Sequence, residues 1–406
     1  MTIWNVSTSA ELVSALAAAQ PLDEIVLADG NYGDLNIGGR QYADYVTIRG
    51  GHAAVFTGAW NPPTTSAAFV RLDGFTLDGG LQLSGLSGAV THHIEVLNLA
   101  IGPVVGNDVM QIMGGVHDVL IQGCKVRDSI STDPLAHPDL IQMFRDFDTD
   151  ATPANITIRR NLFWDDPGTG VIGAQGVFVS DGSWTNGYSG IVIEENVISP
   201  VLINALTLQS GLAGCALRNN LITSGRIWIV NNQALGNAGT VVEGNVSPDL
   251  LDDGGGATVQ NNYTGEVSGY LPNLVDGSTL DQYRPAPGSP IEPYLGWLIA
   301  ILDGQPQVPP MDFLTIIAVR VVSGPVTAII VGTPGQPDHD IEIAPNNPNY
   351  VGAAIVEYDA QDTEGFTSTA TVTVNFTGTP PVLADDNVGA PKGTTVRPAV
   401  LVNDVA

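Results

Sequence analysis

The sequence predicts a mainly β chain whose first 300 residues form a solenoid of stacked coils, followed by a separate β-sandwich. Three observations predict it. A short phrase (apolar, any, apolar, two polar or small residues, often Asn, apolar) recurs between Val46 and Asn262. Its copies start at Val46, Val70, Ile94, Val119, Ile156, Ile191, Cys215, Thr240 and Ala257, at intervals of 24, 24, 25, 37, 35, 24, 25 and 17 residues. The fifth residue after each start is Asn in the last five copies: Asn161, Asn196, Asn220, Asn245 and Asn262. A recurrence of this length marks a repeat architecture, in which a unit buries its apolar face only against its neighbours. Finally, 47 glycines with abundant Val, Ile, Thr and Asn favour strands and turns over helices.

Within the phrase the side-chain period of two turns the first and third residues inward and the one between outward. An inward Asn past the bend can bond the turn backbone and its counterpart in the next coil, so the Asn series is expected to be structural. A second strand series lies between the phrases: Val109–Met113, Leu140–Phe144, Gln175–Val179, Ala205–Gln209 and Ile227–Val230. Each coil therefore has at least two strands plus turns, which is a parallel β-helix. The segments are too short, too β-branched and too often broken by Gly and Asn for a helical solenoid.

At the N-terminus, residues 1–22 read as a strand and then a helix capped by Ser9 or Thr8, with Leu12, Val13, Leu16 and Ala19 on one face. An amphipathic helix can cover the open end of a stacked core. Next comes Asp23-Glu-Ile-Val-Leu-Ala-Asp-Gly-Asn-Tyr32, a strand closed by a Gly turn. After Asn262 the pattern decays into a proline-containing closing segment to about residue 300, with the apolar run Leu295–Leu302 as a packed cap or domain contact. Pro306, Pro309 and Pro310 mark a linker over 301–310. Residues 311–380 carry strand-like runs at Leu314–Val322, Val326–Val331, Ile341–Ile343, Ala353–Tyr358 and Ser368–Phe376, spaced as in a β-sandwich. Residues 381–406 read as a strand-forming extension that pairs with this sandwich or with a partner chain.

The N-terminal helix followed by Ile25-Val-Leu27-Ala-Asp-Gly30-Asn-Tyr32 resembles the opening of the pectate-lyase-like right-handed parallel β-helix superfamily. The likeness is greatest to its alginate-lyase and chondroitinase-B-like branch, and it covers roughly residues 1–290. Tyr358–Phe366 with Ala370–Phe376 resembles the last hairpin of cadherin-like and bacterial immunoglobulin-like modules, and Ala384–Asp404 the first strands of another. The first resemblance implies action on, or recognition of, polysaccharides. Its lyases take a proton beside a uronate carboxylate with a basic side chain, while calcium or Arg neutralises that carboxylate. Lys125, the only lysine of the β-helix, with Arg127 and Arg145, are the residues this would call on.

The net charge of −28 argues against nucleic acid and against an anionic membrane surface as partners. No apolar run is long enough to span a bilayer, and residues 1–5 show neither a basic start nor an apolar signal core. Cys124 and Cys215 both fall in repeat phrases and read as small core residues.

Function is expected where the 24-residue beat breaks. The first long interval holds Asp133, His137, Asp139, Gln142, Arg145, Asp146 and Asp148; the second holds Trp164, Asp165, Asp166, Gln175, Asp181 and Trp184. Asn107-Asp-Val-Met-Gln111 and His137-Pro-Asp-Leu-Ile-Gln142 each place an Asp three residues before a Gln at a strand head. If the strands stack, Gln111, Gln142 and Gln175 make a polar column edged by Asp108, Asp139 and His137. With Trp164, Asp181 and Trp184 near, it would suit the hydroxyls and apolar faces of a sugar chain. Asp139, Arg145, Lys125 and His137 are the candidates for catalysis. A hydrolase needs two carboxylates, about 5 Å or roughly 6.5–9.5 Å apart, which Asp139 with Asp108, Asp146 or Asp181 could supply. Asp165-Asp166, Asp252-Asp253 and Asp338-His-Asp340 could ligate calcium through oxygen.

Two expectations follow. One is a polysaccharide-recognising protein of a cell or virion surface, docked to a protein partner or a second copy through its C-terminal module. The other is a polysaccharide lyase or glycosidase acting on an acidic polymer along the 125–185 surface.

Overall fold

The computed structural model describes the chain except residues 134–136, 150, 166–172, 181–186, 210, 231–236, 254, 304–314, 332–339, 348–349, 362–366, 378–388 and 392–406. It divides into two compact units, Met1–Asp303 and Gly304–Ala406.

The first unit is a parallel β-helix. Each coil passes through three sheets in turn, here named A, B and C, and every described pairing within them is parallel. Parallel crossovers of this kind wind right-handed. The repeat phrases are strands of sheet A, from Gln41–Arg49 through Ala154–Arg159 to Thr258–Gln260, preceded in that sheet by Ile3–Val6 and Glu24–Leu27. Sheet B runs from Gly30–Asn31 to Tyr263–Thr264. Sheet C comprises Asp34–Asn36, Gly58–Trp60, Leu81–Gly85, Met110–Gly114, Asp139–Phe144, Gln175–Val179, Asn204–Gln209, Arg226–Val230 and Asp249–Asp253. The second strand series is therefore sheet C.

The third residue of the first eight phrases stacks in register down the core: Ile48, Leu72, Val96, Ile121, Ile158, Ile193, Leu217 and Val242, all wholly buried; in the last phrase Val259, level with Val242, is 41% exposed, which corrects its expected inward place. Each such side chain contributes roughly 1.5–3 kcal/mol by leaving water. Left-handed residues bracket the phrase. The position before the start has positive φ at Phe69, His93, Asp118, Asn155, Gly190, Gly214 and Gly239; the position four after it does so at Gly74, Asn98, Gly123, Arg160, Glu195, Asn219, Gly244 and Asn261. These residues bend the chain out of and into the strand, at about 1 kcal/mol for each that is not glycine.

Ile3–Val6 opens sheet A, and the helix Ser9–Ala18 follows, capped by Thr8 in a capping box with Glu11. Leu12, Ala15 and Leu16 bury against the first coils, but Val13 is 61% exposed. At 100° per residue it falls outside the arc that Leu12 and Leu16 share, which corrects its expected place on the apolar face. At the other end, the closing segment folds onto the outer face of sheet B. Leu162, Val197, Leu221 and Val246 point outward there and cluster with Val267, Leu271, Tyr283, Ile291, Leu295 and Leu298. The apolar run Leu295–Leu302 supplies the helix Gly296–Leu302 of this layer. Among the described residues no helix is long and apolar enough to cross a membrane. Cys124 and Cys215 are free and buried, their thiols pushed up to about 12 and about 11 by burial, so both serve as apolar filling.

The second unit is antiparallel but for one short pairing. Thr315–Ser323, Gly352–Gln361 and Thr367–Thr377 form one sheet, and Val326–Val331 with Asp340–Pro345 a hairpin. They share one core of Ile316, Val326, Ile341, Ile343, Ala354, Val356, Val374 and Phe376. Gly389–Pro391, from the C-terminal extension, adds a strand parallel to Asn375–Thr377.

Candidate functional site

Two amide columns run along the helix. The first is the Asn series, which the left-handed residue before each Asn turns inward. Asn196 Oδ1 accepts from the backbone N–H and side chain of Asn161, both at 3.0 Å. Its own Nδ2 donates to Ile158 O at 2.9 Å and to Asn220 Oδ1 at 3.0 Å. The pattern repeats from Asn220 to Asn245 and from Asn245 to Asn262. In the earlier coils the same corner is held by Phe75, Leu99 and Cys124, and Cys124 N–H donates to Asn161 Oδ1 at 2.8 Å. Asn161, Asn196, Asn220 and Asn245 are wholly buried.

The second column lies on the outer face of sheet C. Strand register aligns Asn36, Trp60, Gln82, Gln111, Gln142, Phe178, Thr207 and Trp228, one from each successive coil. Thr207 is buried, so the open part runs from exposed Asn36 to Phe178, with Trp60 its first aromatic. Beside it a shallow cleft is lined by Trp60, Gln82, Val104, Asn107, Asp108 and Gln111. Gly58 and Gly80 form its floor, where a Cβ on Gly80 would lie 2.8 Å from Val109 O. Gln111 Nε2 donates to Asn107 Oδ1 and Asp108 Oδ2, both at 3.0 Å. Gln82 donates weakly to Ser84 Oγ at 3.3 Å. Among the described residues, Gln142 makes no side-chain hydrogen bond and no donor reaches Oε1 of any of the three.

Gln175 does not belong to this column. It pairs with Asp139, three positions upstream of Phe178, and is buried, its Oε1 accepting from Asn204 Nδ2 at 2.7 Å. Phe178 takes the expected place because it is the residue of that strand level with Gln142. The misplacement exposes a further ladder at the strand heads: Asp108, Asp139, Gln175, Asn204 and Arg226. Asp139 N–H donates to Asp108 Oδ1 at 2.8 Å, and Arg226 Nε donates to Asn204 Oδ1 at 3.1 Å.

The two carboxyls at the top of this ladder sit on adjacent rungs. Asp139 is 1% exposed and its Oδ1 has no partner among the described residues. Burial, and then the charge of Asp108, push it up to about 9, so it holds its proton at neutral pH. Asp108 is also raised by burial, opposed by its bonds from Gln111 and Asp139 and by the nearby charge of His137. His137 is exposed, two residues before Asp139.

The described residues of the stretch 125–185 do not form one surface. Lys125 is exposed on sheet B, level with Ala100 and Leu162. Trp164 also lies on sheet B, level with Arg127 and Ser199, and packs into the closing-segment cluster. Both are outward residues of strands that follow the Asn corner, a different face from the glutamines. Arg145 follows Phe144 at the far end of the sheet C strand from Asp139, its guanidinium 5.0 Å over Phe147 in a second cleft with Pro63, Leu86 and Ser87. Asp146 is a loop tie: it accepts from Ser87 N–H and Thr149 Oγ1 at 2.6 Å and from Asp148 N–H at 3.0 Å. These bonds outweigh its desolvation and keep it below the usual carboxylate range. Asp181 and Trp184 lie outside the described residues. The two long intervals nonetheless bracket sheet C, since 131–138 and 145–153 flank Asp139–Phe144, and 165–174 and 180–187 flank Gln175–Val179.

For calcium, Asp165 Oδ2 instead accepts from Ala174 N–H at 2.5 Å, and Asp253 Oδ2 from Trp228 Nε1 at 2.8 Å. Asp166, Asp338 and His339 lie outside the described residues, and among those described no group of three His, Cys, Asp or Glu is arranged to hold a metal ion.

A feature not read from the sequence lies on the outer face of sheet A. The position before each phrase brings together Tyr45, Phe69, His93, Asp118 and Asn155, of which all but Tyr45 are left-handed. His117 Nδ1 lies 2.7 Å from Asp118 Oδ2, and the rings of His92 and His117 stack at 5.2 Å. The signal was present, as the residue before each phrase start, but it becomes visible only once the phrases are aligned.

No protein-family model matches the chain, and no curated protein matches it. Among solved structures it is similar to an alginate lyase from Paenibacillus sp. str. FPU-7, at 16% identity over 65% of this chain and 98% of that one, with a TM-score of 0.43. It is similar also to the pectate lyase Pel9A, at 12% identity over 71% of this chain and 90% of that one (TM-score 0.47). A third is the PL6 family alginate lyase AlyGC, at 15% identity, 64% of this chain, only 38% of that one and TM-score 0.44.

Proposed function

We propose that the chain binds a polysaccharide laid along the outer face of sheet C, crossing successive coils. The observation that carries this reading is the in-register column Trp60–Gln82–Gln111–Gln142–Phe178. Aromatic faces at both ends match the apolar faces of sugar rings, and three amides with spare acceptors between them match hydroxyls. The in-register pairing of the sheet C strands fixes the column's spacing, so little ordering is lost on binding. Display on a cell or virion surface belongs to the same proposal, on the ground of the sequence reading above. Affinity electrophoresis of purified protein in gels containing different polysaccharides tests it. Retardation by at least one polymer, abolished by Trp60→Ala and Phe178→Ala, is expected; equal retardation of those variants sinks the reading.

A second reading, glycoside hydrolysis, is favoured by one observation: Asp108, which lines the cleft, sits on the rung next to Asp139, which is held protonated. Asp139 would give its proton to the leaving glycosidic oxygen, and Asp108 would take a proton from the water that attacks the anomeric carbon. Reducing ends appearing with wild type and not with Asp139→Asn support it. No release from a polymer that demonstrably binds rejects it.

A further inference from the structure

The charge map of the sheet C face specifies the class of polymer, and this inference rests on the binding reading above. A polyuronate presents a carboxylate on every sugar, and a site for it needs cations placed along its length. The open column from Trp60 to Phe178 contains none. Unit 1 has eleven basic residues, and among the described contacts most are committed elsewhere. Arg49, Arg71, Arg160 and Arg218 pair with Glu24, Glu95, Glu195 and Glu243, and Arg159 bonds Gln122, all from sheet A strands and the turns that follow them. Lys125 and Arg127 lie on sheet B, and Arg284 pairs with Asp303 in the closing segment. Arg40 precedes the sheet A strand Gln41–Arg49.

Two remain on sheet C strands or at their ends. Arg145 is buried over Phe147. Arg226 lies 4.5 Å over the Trp228 ring and donates to Asn204, two coils beyond Phe178. The stretches of unit 1 outside the described residues contain no Lys or Arg in the sequence. The charge beside the column is instead negative: Asp108 lines the cleft, within a chain of net charge −28.

We infer that the groove selects a neutral polysaccharide and rejects polyuronates. Selection comes from stacking on Trp60 and Phe178 and from hydroxyl bonds to Gln82, Gln111 and Gln142, terms that salt does not screen. Rejection comes from bringing a row of carboxylates against an acidic, partly desolvated face whose open column carries no Lys or Arg to meet them.

The test measures retardation of the full chain by neutral glucans, mannans and galactans and by alginate and polygalacturonate. It is run at pH 7.5, in low salt and in about 0.5 M salt as the screening contrast. Binding to a neutral polymer, unchanged by salt and weakened on the order of thirtyfold by Trp60→Ala, with no polyuronate binding, is the expected result. Gln142→Arg should then gain polyuronate retardation that salt abolishes. If wild type binds a polyuronate and Trp60→Ala or Gln111→Ala loses it, the neutral-polymer inference is overturned while the groove stands. If neither polymer class retards the protein, the groove reading itself falls and this inference with it.

Discussion

The Asn ladder and the Gln column are two rows of the same functional group on one scaffold, and they differ in what their amides already hold. Each ladder Asn from Asn161 to Asn245 uses both its oxygen and its NH2 on backbone or on the next Asn, out of reach of water. The glutamines stand on a strand face, half-buried, with their oxygens unused and Gln142 bonded to nothing described. A buried amide row must be satisfied within the fold, because an orphaned polar group there costs about 1–3 kcal/mol. An exposed row has no such demand and leaves its capacity for a ligand. The same chemistry is structure in one place and recognition in the other.

That difference can be broken by mutation, and the largest effect is expected in the ladder. Asn196→Ala removes the acceptor for two Asn161 donors and the donor to Ile158 O. A loss of about 3 kcal/mol or more is expected, read as a fall in the denaturation midpoint at unchanged slope. A midpoint unchanged by this substitution would contradict the structural role. Next comes Trp60→Ala, expected to cost about 2 kcal/mol of glycan affinity while moving stability by less than the ladder change. Gln142→Ala sharpens the contrast. Stability should stay within about 0.5 kcal/mol, since the side chain holds nothing, while affinity falls severalfold.

The strand-head acids give a pH signature. Asp139 is raised from 3.8 to about 9, so the folded state keeps a proton that the unfolded state releases. Its contribution is fully present below pH 3.8 and is lost as pH rises toward 9, at up to about 1.4 kcal/mol per unit. Asp139→Asn should therefore flatten the decline of melting temperature between pH 5 and 9, a range set by that shift. The smallest effect concerns Asp118. Desolvation would raise it, but bonds from His117 and Asn155 and the charges of His117 and His93 hold it below its ordinary value. Its contribution is present above the ordinary carboxylate pKa and lost as pH falls through the folded one. Asp118→Asn should cost stability at pH 7 and less at pH 3, an effect cut down by its exposure.

The fold was legible because its determinants are periodic. Inward Ile48, Leu72 and Val96, the Asn at phrase position five and the capping Thr8 each repeat or follow a local rule. The site was legible only in part. Gln111, Gln142, Asp108 and Asp139 share a spacing, and the structure brings them together on one sheet. Gln175 broke the pattern by three residues, and nothing short of the strand register reveals that Phe178 stands level with Gln142. Trp60 and Gln82 were missed because they precede the long intervals, in coils of ordinary length. Lys125 and Trp164 looked close to the glutamines in sequence, but one corner of the coil puts them on another face. Sequence distance along a solenoid says little about which face a residue occupies, whereas position within the coil says nearly everything.

The most direct test of the central claim is isothermal titration of a retarding polysaccharide into wild type, Trp60→Ala, Gln111→Ala and Lys125→Ala. Binding lost in the two sheet C variants and intact in Lys125→Ala is what the groove on sheet C predicts. Binding that survives Trp60→Ala and Gln111→Ala but disappears with Lys125→Ala would place the site on sheet B and contradict it.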